Sequence, residues 1–498
     1  MIEYWKVPAK LIRYAGSWET TIYMWDFGGK PKDNQLIALN KIEISQLVSQ
    51  INFFFTFDSK RMGFSQKILI RTEQITPRLR YVIRHIFENL LGVEPVIVRS
   101  DEITDGTTLP IISYTYQPSK DGGIHIVPAG LLFQQGINPD LHPTIDYRNQ
   151  ISVIFGSTTQ DSLGFDIFSA VFYVLSRYEE YISVHFDSHR RFLPESSPFF
   201  AHKLYAIPVA DEWVLLLKNK LSEHYPHLSF KKHTYTYLPT IDVDMPYAYR
   251  FKKLPYTLGG IAKSILRTDY YSLKKRIQAL VSKKEDPYFT FDYLNSVTAQ
   301  YSIHPIYFYL CSGQKPYDPI AGYRKRAVIE AVKYNQQYAL AGLHNSYHTL
   351  DKPELITKEL GQLQSMIKEP IFRSRFHYIR FQIPQSYQQL LQAGIREDYS
   401  MGFPSINGFR AGTSHPFYFY DLSREEETNL KIFPFQAMDA TYIYYLKLTP
   451  DQAYDDLVQI REQVRRHNGT FIIIWHNNYF EPTPLGQHWR KVFESMLA

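Results

Sequence analysis

The stretch Leu238-Pro239-Thr240-Ile241-Asp242-Val243-Asp244 decides how the rest of the chain is read. Its apolar lead and its ending predict a short buried strand that runs out into two carboxylates. Side chains alternate along a strand, so Asp242 and Asp244 point to one side if the backbone stays extended. Two like charges that close repel unless a cation or a shared proton relieves them. The pair therefore reads as a metal site or an acid–base pair. The competing reading is two carboxylates capping a turn, and the residues that follow decide between them.

Downstream, strands and helices alternate. Strands are expected at 306–310, 339–343, 377–381 and 470–475, and helices at 323–338, 353–367, 385–393 and 450–467, with an irregular stretch at 433–439. Such alternation predicts an α/β fold built on a parallel sheet or barrel, with functional groups at the carboxyl ends of its strands. Asp244, His344 and His476 each directly follow an expected strand, and Arg380 lies near the end of another. His344-Asn345-Ser346-Tyr347-His348 adds two imidazoles four residues apart, close enough for both to reach one ion. A carboxylate with two histidines is a recognised catalytic zinc-type set.

The ordered pattern resembles the polysaccharide deacetylase (NodB-homology, carbohydrate esterase family 4-like) proteins. The resemblance is carried by T-I-D-V-D at 240–244, H-N-S-Y-H at 344–348, R-F-Q-I-P at 380–384, E-D-Y-S-M-G-F at 397–403, G-F-R-A-G-T at 408–413 and I-W-H at 474–476. It implies an irregular (β/α) barrel and a metal-dependent hydrolase that removes N-acetyl groups from a carbohydrate. Carried over by position, Asp242 is the catalytic base, and Asp244, His344 and His348 hold a divalent metal, zinc first. Arg380 holds Asp242 in place, His476 is the general acid and Asp398 orients it. Arg410 is a second candidate for the arginine role. The sequence departs from the pattern where Val243 separates acids that many members have adjacent, and where Asn345 replaces the usual Ser or Thr. Its Arg-to-Pro spacing is also longer than in many members. Two other readings stay open: another amide hydrolase on the same fold, and a catalytically silent deacetylase-like module that binds glycan.

Ahead of this part, Thr76-Pro77 reads as a helix start, with Leu79, Val82, Ile83, Ile86, Phe87, Leu90 and Leu91 on one face and Gly92 as the stop. Strands are expected at 93–98, 123–128 and 151–155, and helices at 166–181 and around Trp213. D-I-F-S-A-V-F-Y-V-L-S-R-Y-E-E-Y at 166–181 is similar to the accessory domain that precedes such deacetylase domains in some bacterial proteins. Asp187, His189, Arg190 and Arg191 then form a polar cluster, read either as the lip of a cleft or as a solvated helix end. The expected division is an N-terminal α/β domain at 1–234 and the deacetylase-like domain at 235–498.

Composition narrows the function classes. With 44% hydrophobic and 21% charged residues the 498-residue chain reads as globular, and its net charge of +6 does not imply nucleic acid. The 39 Tyr and 33 Phe suit aromatic-lined carbohydrate clefts and large cores alike. One cysteine, Cys311, excludes an intrachain disulfide and a cysteine-built zinc site. Residues 1–8 lack a basic region followed by an apolar run, and no apolar stretch spans a bilayer, so a cytoplasmic location is expected. Residues 250–284 hold ten Lys or Arg against the single acid Asp269, with apolar residues at helical spacing. They read as an ordinary solvated insertion or as a peripheral contact with an anionic surface.

Overall fold

The computed structural model describes residues 66–102, 107–118, 123–157 and 161–498, without the side chain of Lys283, and the backbone of 9–14 and 17–22. The N-terminal stretch read for a leader, residues 1–8, lies outside the described residues. The chain forms two compact units, Met1–Gly63 and Phe64–Ala498. In the first, strands Ala9–Tyr14 and Ser17–Ile22 pair antiparallel.

The second unit is a mixed α/β structure. Its N-terminal part holds a parallel four-stranded sheet in the order Glu94–Arg99, Lys67–Thr72, Ile111–Tyr114, Ile124–Ile126. The helix Pro77–Arg84 begins as expected, with the Thr76 side chain accepting from the Leu79 amide. It continues as a wider turn, His85–Leu91, and stops at Gly92, whose φ of 69° is one that glycine adopts without a Cβ clash. Ile151–Ile154 leaves the sheet and pairs antiparallel with Ile145–Arg148. The helix expected over 166–181 breaks after Leu175. Arg177 takes a left-handed conformation (φ 55°), and a second short helix, Tyr178–Ile182, follows.

Residues 235–498 build a nine-stranded sheet among the described residues. Its order is Phe417–Asp421, Glu426–Ile432, Glu397–Asp398, Arg373–Phe376, Leu340–Asn345, Ile306–Tyr309, Thr236–Val243, Thr470–His476, Ala437–Met438. Every neighbouring pair is parallel except the hairpin at the first edge. The D-x-D strand sits inside the sheet, buried from Pro239 to Val243, as its apolar run requires. No ladder joins the two edges among the described residues, so the sheet is open where a closed barrel would be continuous. One edge ends in an antiparallel hairpin and the other in a two-residue strand, which leaves little backbone with which to close.

The division expected at 234/235 falls inside the second unit. Arg78 pairs with Glu425, Arg410 with Glu180, and Asp211 accepts from Thr413 and Ser414, so buried charges tie residues on both sides of 235. No helix among the described residues is long and apolar enough to cross a membrane.

Candidate metal centre

Register sets the geometry. Asp242 stands beside Phe308 on one neighbouring strand and beside His476 on the other. Two strands away, His344 stands beside Arg375. Parallel strands therefore bring four polar side chains, Asp242, His344, Arg375 and His476, to one end of the sheet, where backbone pairing stops and side chains are free to converge.

Asp244, the first residue past its strand, is the hub. Its Oδ1 lies 3.3 Å from His344 Nε2, and its Oδ2 lies 3.3 Å from His377 Nε2 and 3.9 Å from His476 Nε2. Ligand atoms of Asp244, His344 and His377 all fall within 4.8 Å of one another, a spacing that one ion could bridge. Each imidazole is oriented through its other nitrogen. His344 Nδ1 is 3.0 Å from the Arg375 carbonyl, and His377 Nδ1 is 2.9 Å from Asp318 Oδ1. This is the outer-shell pattern that fixes a metal-binding histidine with Nε2 turned to the ion. Asp244 Oδ1 and His344 Nε2 are buried without a hydrogen bond of acceptable geometry. Buried polar atoms left in this state are costly unless something else satisfies them. The donor set fits a divalent cation.

Charge points the same way. Burial opposes ionisation of Asp244, yet the His377 and His344 imidazoles hold it well below the usual carboxylate range. Burial likewise opposes a charge on His377, but Asp244 and Asp318, one against each ring nitrogen, push it up to about 10. The pocket favours positive charge at its centre.

Asp242 and His476 flank this centre. Asp242 Oδ1 accepts from Arg375 Nη1 at 2.7 Å, and its Oδ2 lies 3.4 Å from His344 Nε2. Arg375 Nη1 also donates to Thr240 Oγ1 at 2.9 Å, and its Nε donates to the Tyr399 carbonyl at 2.9 Å. His476 Nδ1 is 2.6 Å from Asp439 Oδ1, while Asp439 Oδ2 accepts the His476 amide at 2.6 Å. Burial opposes the charged His476 ring, but Asp439 carries it up to about 9.

The structure thus brings together Asp242, Asp244, His344 and His476 from the sequence-derived set. The other four residues have other partners or lie outside the three-residue cluster. His348 sits on the turn Tyr347–Leu350, with its ring against Tyr347 and its buried Nε2 without a hydrogen-bond partner. It is not in the three-residue cluster, where His377 stands instead. Arg380 donates to the His189 and Tyr347 carbonyls and to Asp351, while Arg375 holds Asp242. Asp398 accepts from Ser400 and Tyr387, and Asp439 orients His476. Burial pushes Asp398 up to about 6, against the lowering pull of its Ser400 and Tyr387 hydrogen bonds and of the Arg375 charge. Arg410 forms a two-pronged pair with Glu180 at 2.9 and 2.6 Å.

Four residues of the centre escape a reading of the sequence: His377, Arg375, Asp318 and Asp439. The strand expected at 377–381 lies at Arg373–Phe376, so His377 stands just past a strand end, as Asp244 does. Asp439 follows a strand of only two residues, Ala437–Met438.

The polar cluster after the second short helix reaches the same rim. Arg191 is buried and donates to the Tyr378 carbonyl at 2.9 Å and the Tyr445 hydroxyl at 3.0 Å. His189 Nδ1 is 2.9 Å from the Tyr347 hydroxyl, and Tyr317 stacks on Tyr347. Tyr317, Tyr347 and Tyr378 pack together as an aromatic margin, with Tyr378 edge-on to His377.

Comparison with known proteins gives three findings. Residues 68–226 match a family model described as a family of unknown function (DUF7033). No curated protein matches. Among solved structures, a Mycobacterium smegmatis protein assigned as a polysaccharide deacetylase is 12% identical with a TM-score of 0.35, over 54% of this chain and 85% of that one. The Bacillus cereus polysaccharide deacetylase Bc1974 is 10% identical with a TM-score of 0.26, over 52% of this chain and 88% of that one. A mutant of BA3943, described as a CE4-family pseudoenzyme with restored enzymatic activity, is 9% identical with a TM-score of 0.24, over 53% and 61%. At these identities and scores the likenesses do not fix an activity, and the functional reading below rests on side-chain geometry.

Proposed function

We propose that this protein is a metal-dependent hydrolase of an amide on a carbohydrate, an N-deacetylase. The observation that carries the reading is the buried Asp244–His344–His377 cluster, with an arginine-held carboxylate, Asp242, on one flank and a carboxylate-held imidazole, His476, on the other. The resemblance of the T-I-D-V-D, H-N-S-Y-H and I-W-H elements to polysaccharide deacetylases supports the same chemistry. Asp244, His344 and His377 would hold the ion, zinc being the ordinary choice for one carboxylate and two imidazoles. When bound, a divalent cation polarises a carbonyl and makes water a stronger acid.

The chain's own groups supply the proton transfers. Asp242, with Oδ1 engaged by Arg375, has Oδ2 free to take a proton from water as its oxygen attacks the amide carbon. His476, raised by Asp439, carries a proton on Nε2 at neutral pH. It gives that proton to the amide nitrogen as the C–N bond breaks, so the amine leaves neutral. The products are acetate and an amino sugar. The aromatic margin of Tyr317, Tyr347 and Tyr378 offers ring faces on which a sugar can stack.

The test is acetate release from N-acetylated chito-oligosaccharides by the full chain, with and without chelator, alongside elemental analysis. Metal-dependent release that disappears in Asp242→Asn is expected. A fully metal-loaded protein that binds these glycans yet releases no acetate would favour the glycan-binding module instead.

A further inference from the structure

We infer that the helical hairpin formed by Leu254–Leu266 and Tyr270–Val281 is a docking surface for an anionic lipid bilayer. It follows the strand that carries Asp242 and ends just before Asp244, and joins it to the next helix of the fold, Phe291–Gln300. Both helices are amphipathic, but their apolar stripes face outward. Leu258 is 56%, Ile265 59% and Ile277 54% exposed, and beside them Leu266 reaches 85% and Val281 83%. Ten of the twenty-four exposed large apolar side chains among the described residues lie within residues 254–281. A solvated insertion turns such stripes inward, whereas concentrated apolar exposure marks a contact surface.

Charge identifies what covers it. Residues 250–284 carry ten Lys or Arg and one acid, Asp269, whose side chain is engaged in capping the second helix through the Ser272 amide. The inward cations are used internally. Arg250 donates to the Ala279 and Leu280 carbonyls, and Arg276 lies over the Tyr249 ring with Nε 3.3 Å from Ser264 Oγ. Lys263, Arg267 and Lys274 are left exposed beside the apolar stripes. An apolar stripe flanked by lysine and arginine, with tyrosines at its border, is the composition that lies in the headgroup layer of an anionic membrane. A second copy of this chain is a poor occupant, because a two-fold contact would press this cationic surface against itself.

The test uses the full chain and co-sedimentation with two kinds of vesicle, phosphatidylcholine alone and phosphatidylcholine mixed with phosphatidylglycerol, each at low and high salt. Binding to the mixed vesicles alone, weakened by salt, is expected. Lys263→Glu, Arg267→Glu and Lys274→Glu together should lower partitioning by about tenfold or more. Leu258→Ser, Ile265→Ser and Ile277→Ser together should lower it to a similar degree. All six side chains are exposed, so circular dichroism and the melting temperature should not change. The inference is overturned by a wild-type chain that ignores anionic vesicles at low salt, or by binding that both triple variants retain. A concentration-dependent dimer that the serine variant dissolves, with no vesicle binding, would overturn it too and place a second copy on this face.

Discussion

Two of the buried arginine–carboxylate networks among the described residues are built to opposite ends. Where the N-terminal part meets the large sheet, Arg177 donates to Glu179, Glu180 and the Arg410 carbonyl, and Arg410 grips Glu180 with two nitrogens while its third donates to the Gly402 carbonyl. Every guanidinium nitrogen there has an acceptor. At the strand ends, Arg375 satisfies one oxygen of Asp242, but Asp244 Oδ1, His344 Nε2 and Arg375 Nη2 have no hydrogen-bond partner. A closed network needs nothing further and acts as a fastening. A buried network with atoms left over is unfinished, and in the function proposed above a cation is what would complete it.

The largest expected effect breaks the comparison from the site side. Asp242→Asn keeps an oxygen for Arg375 and so keeps the fold, but it loses the base. Turnover should fall by about 10²–10⁴-fold with metal content unchanged by elemental analysis. A fall in metal content equal to the fall in rate would make Asp242 a ligand and pass the base role to Asp244.

Glu180→Gln probes the fastening. It leaves Arg177 and Arg410 buried against a neutral amide, and breaking a buried pair from one side typically costs about 3–5 kcal/mol. The loss should appear in urea unfolding, while the metal affinity of the folded fraction stays as in the wild type. If Glu180→Gln instead lowered metal affinity without destabilising the chain, the division into fastening and site would fail.

These two tests also separate what the sequence carries from what it conceals. The D-x-D strand, His344 and His476 are legible because an apolar run ending in a polar residue is a local signal. Arg375 is illegible for the opposite reason. Its strand reads Arg373-Ser374-Arg375-Phe376, a polar run that no alternation rule marks as buried, yet Ser374, Arg375 and Phe376 are all inside. What makes that burial tolerable is Asp242, 133 positions away in the chain. Misplacing this strand by four residues also hides His377. Arg410 shows the converse error: its G-F-R-A setting resembles a motif, but its partner Glu180 lies 230 positions upstream. The open sheet was not legible either, since β-α alternation is the same in open and closed sheets.

Outer-shell residues give a smaller effect. Asp318 holds His377 Nδ1, and its removal should loosen the ring without deleting a ligand. Asp318→Asn is expected to weaken metal affinity by about 10–100-fold, measured by competition with a chromogenic chelator. No change in affinity would mean that His377 does not bind the ion.

The smallest expected effect belongs to His348, and it sharpens the comparison most. Two histidines compete for the third ligand position. His348 comes from the H-x-x-x-H spacing, and its buried Nε2 lacks a hydrogen-bond partner, as a ligand nitrogen would. His377 comes from the fold: its Nε2 is 3.3 Å from Asp244, its ring stands 5.0 Å from that of His344, and Asp318 fixes its other nitrogen. Orientation separates them, because a ring aimed by a carboxylate loses less freedom on binding than one held by packing alone. His377→Ala should therefore lower metal affinity beyond the roughly 100-fold typical of outer-shell losses, and His348→Ala should leave it near the wild-type value. Measuring both by the same competition assay makes the comparison internal. The reverse ranking would restore the spacing-based assignment, with His377 then acting as a charged neighbour that Asp244 and Asp318 hold between them.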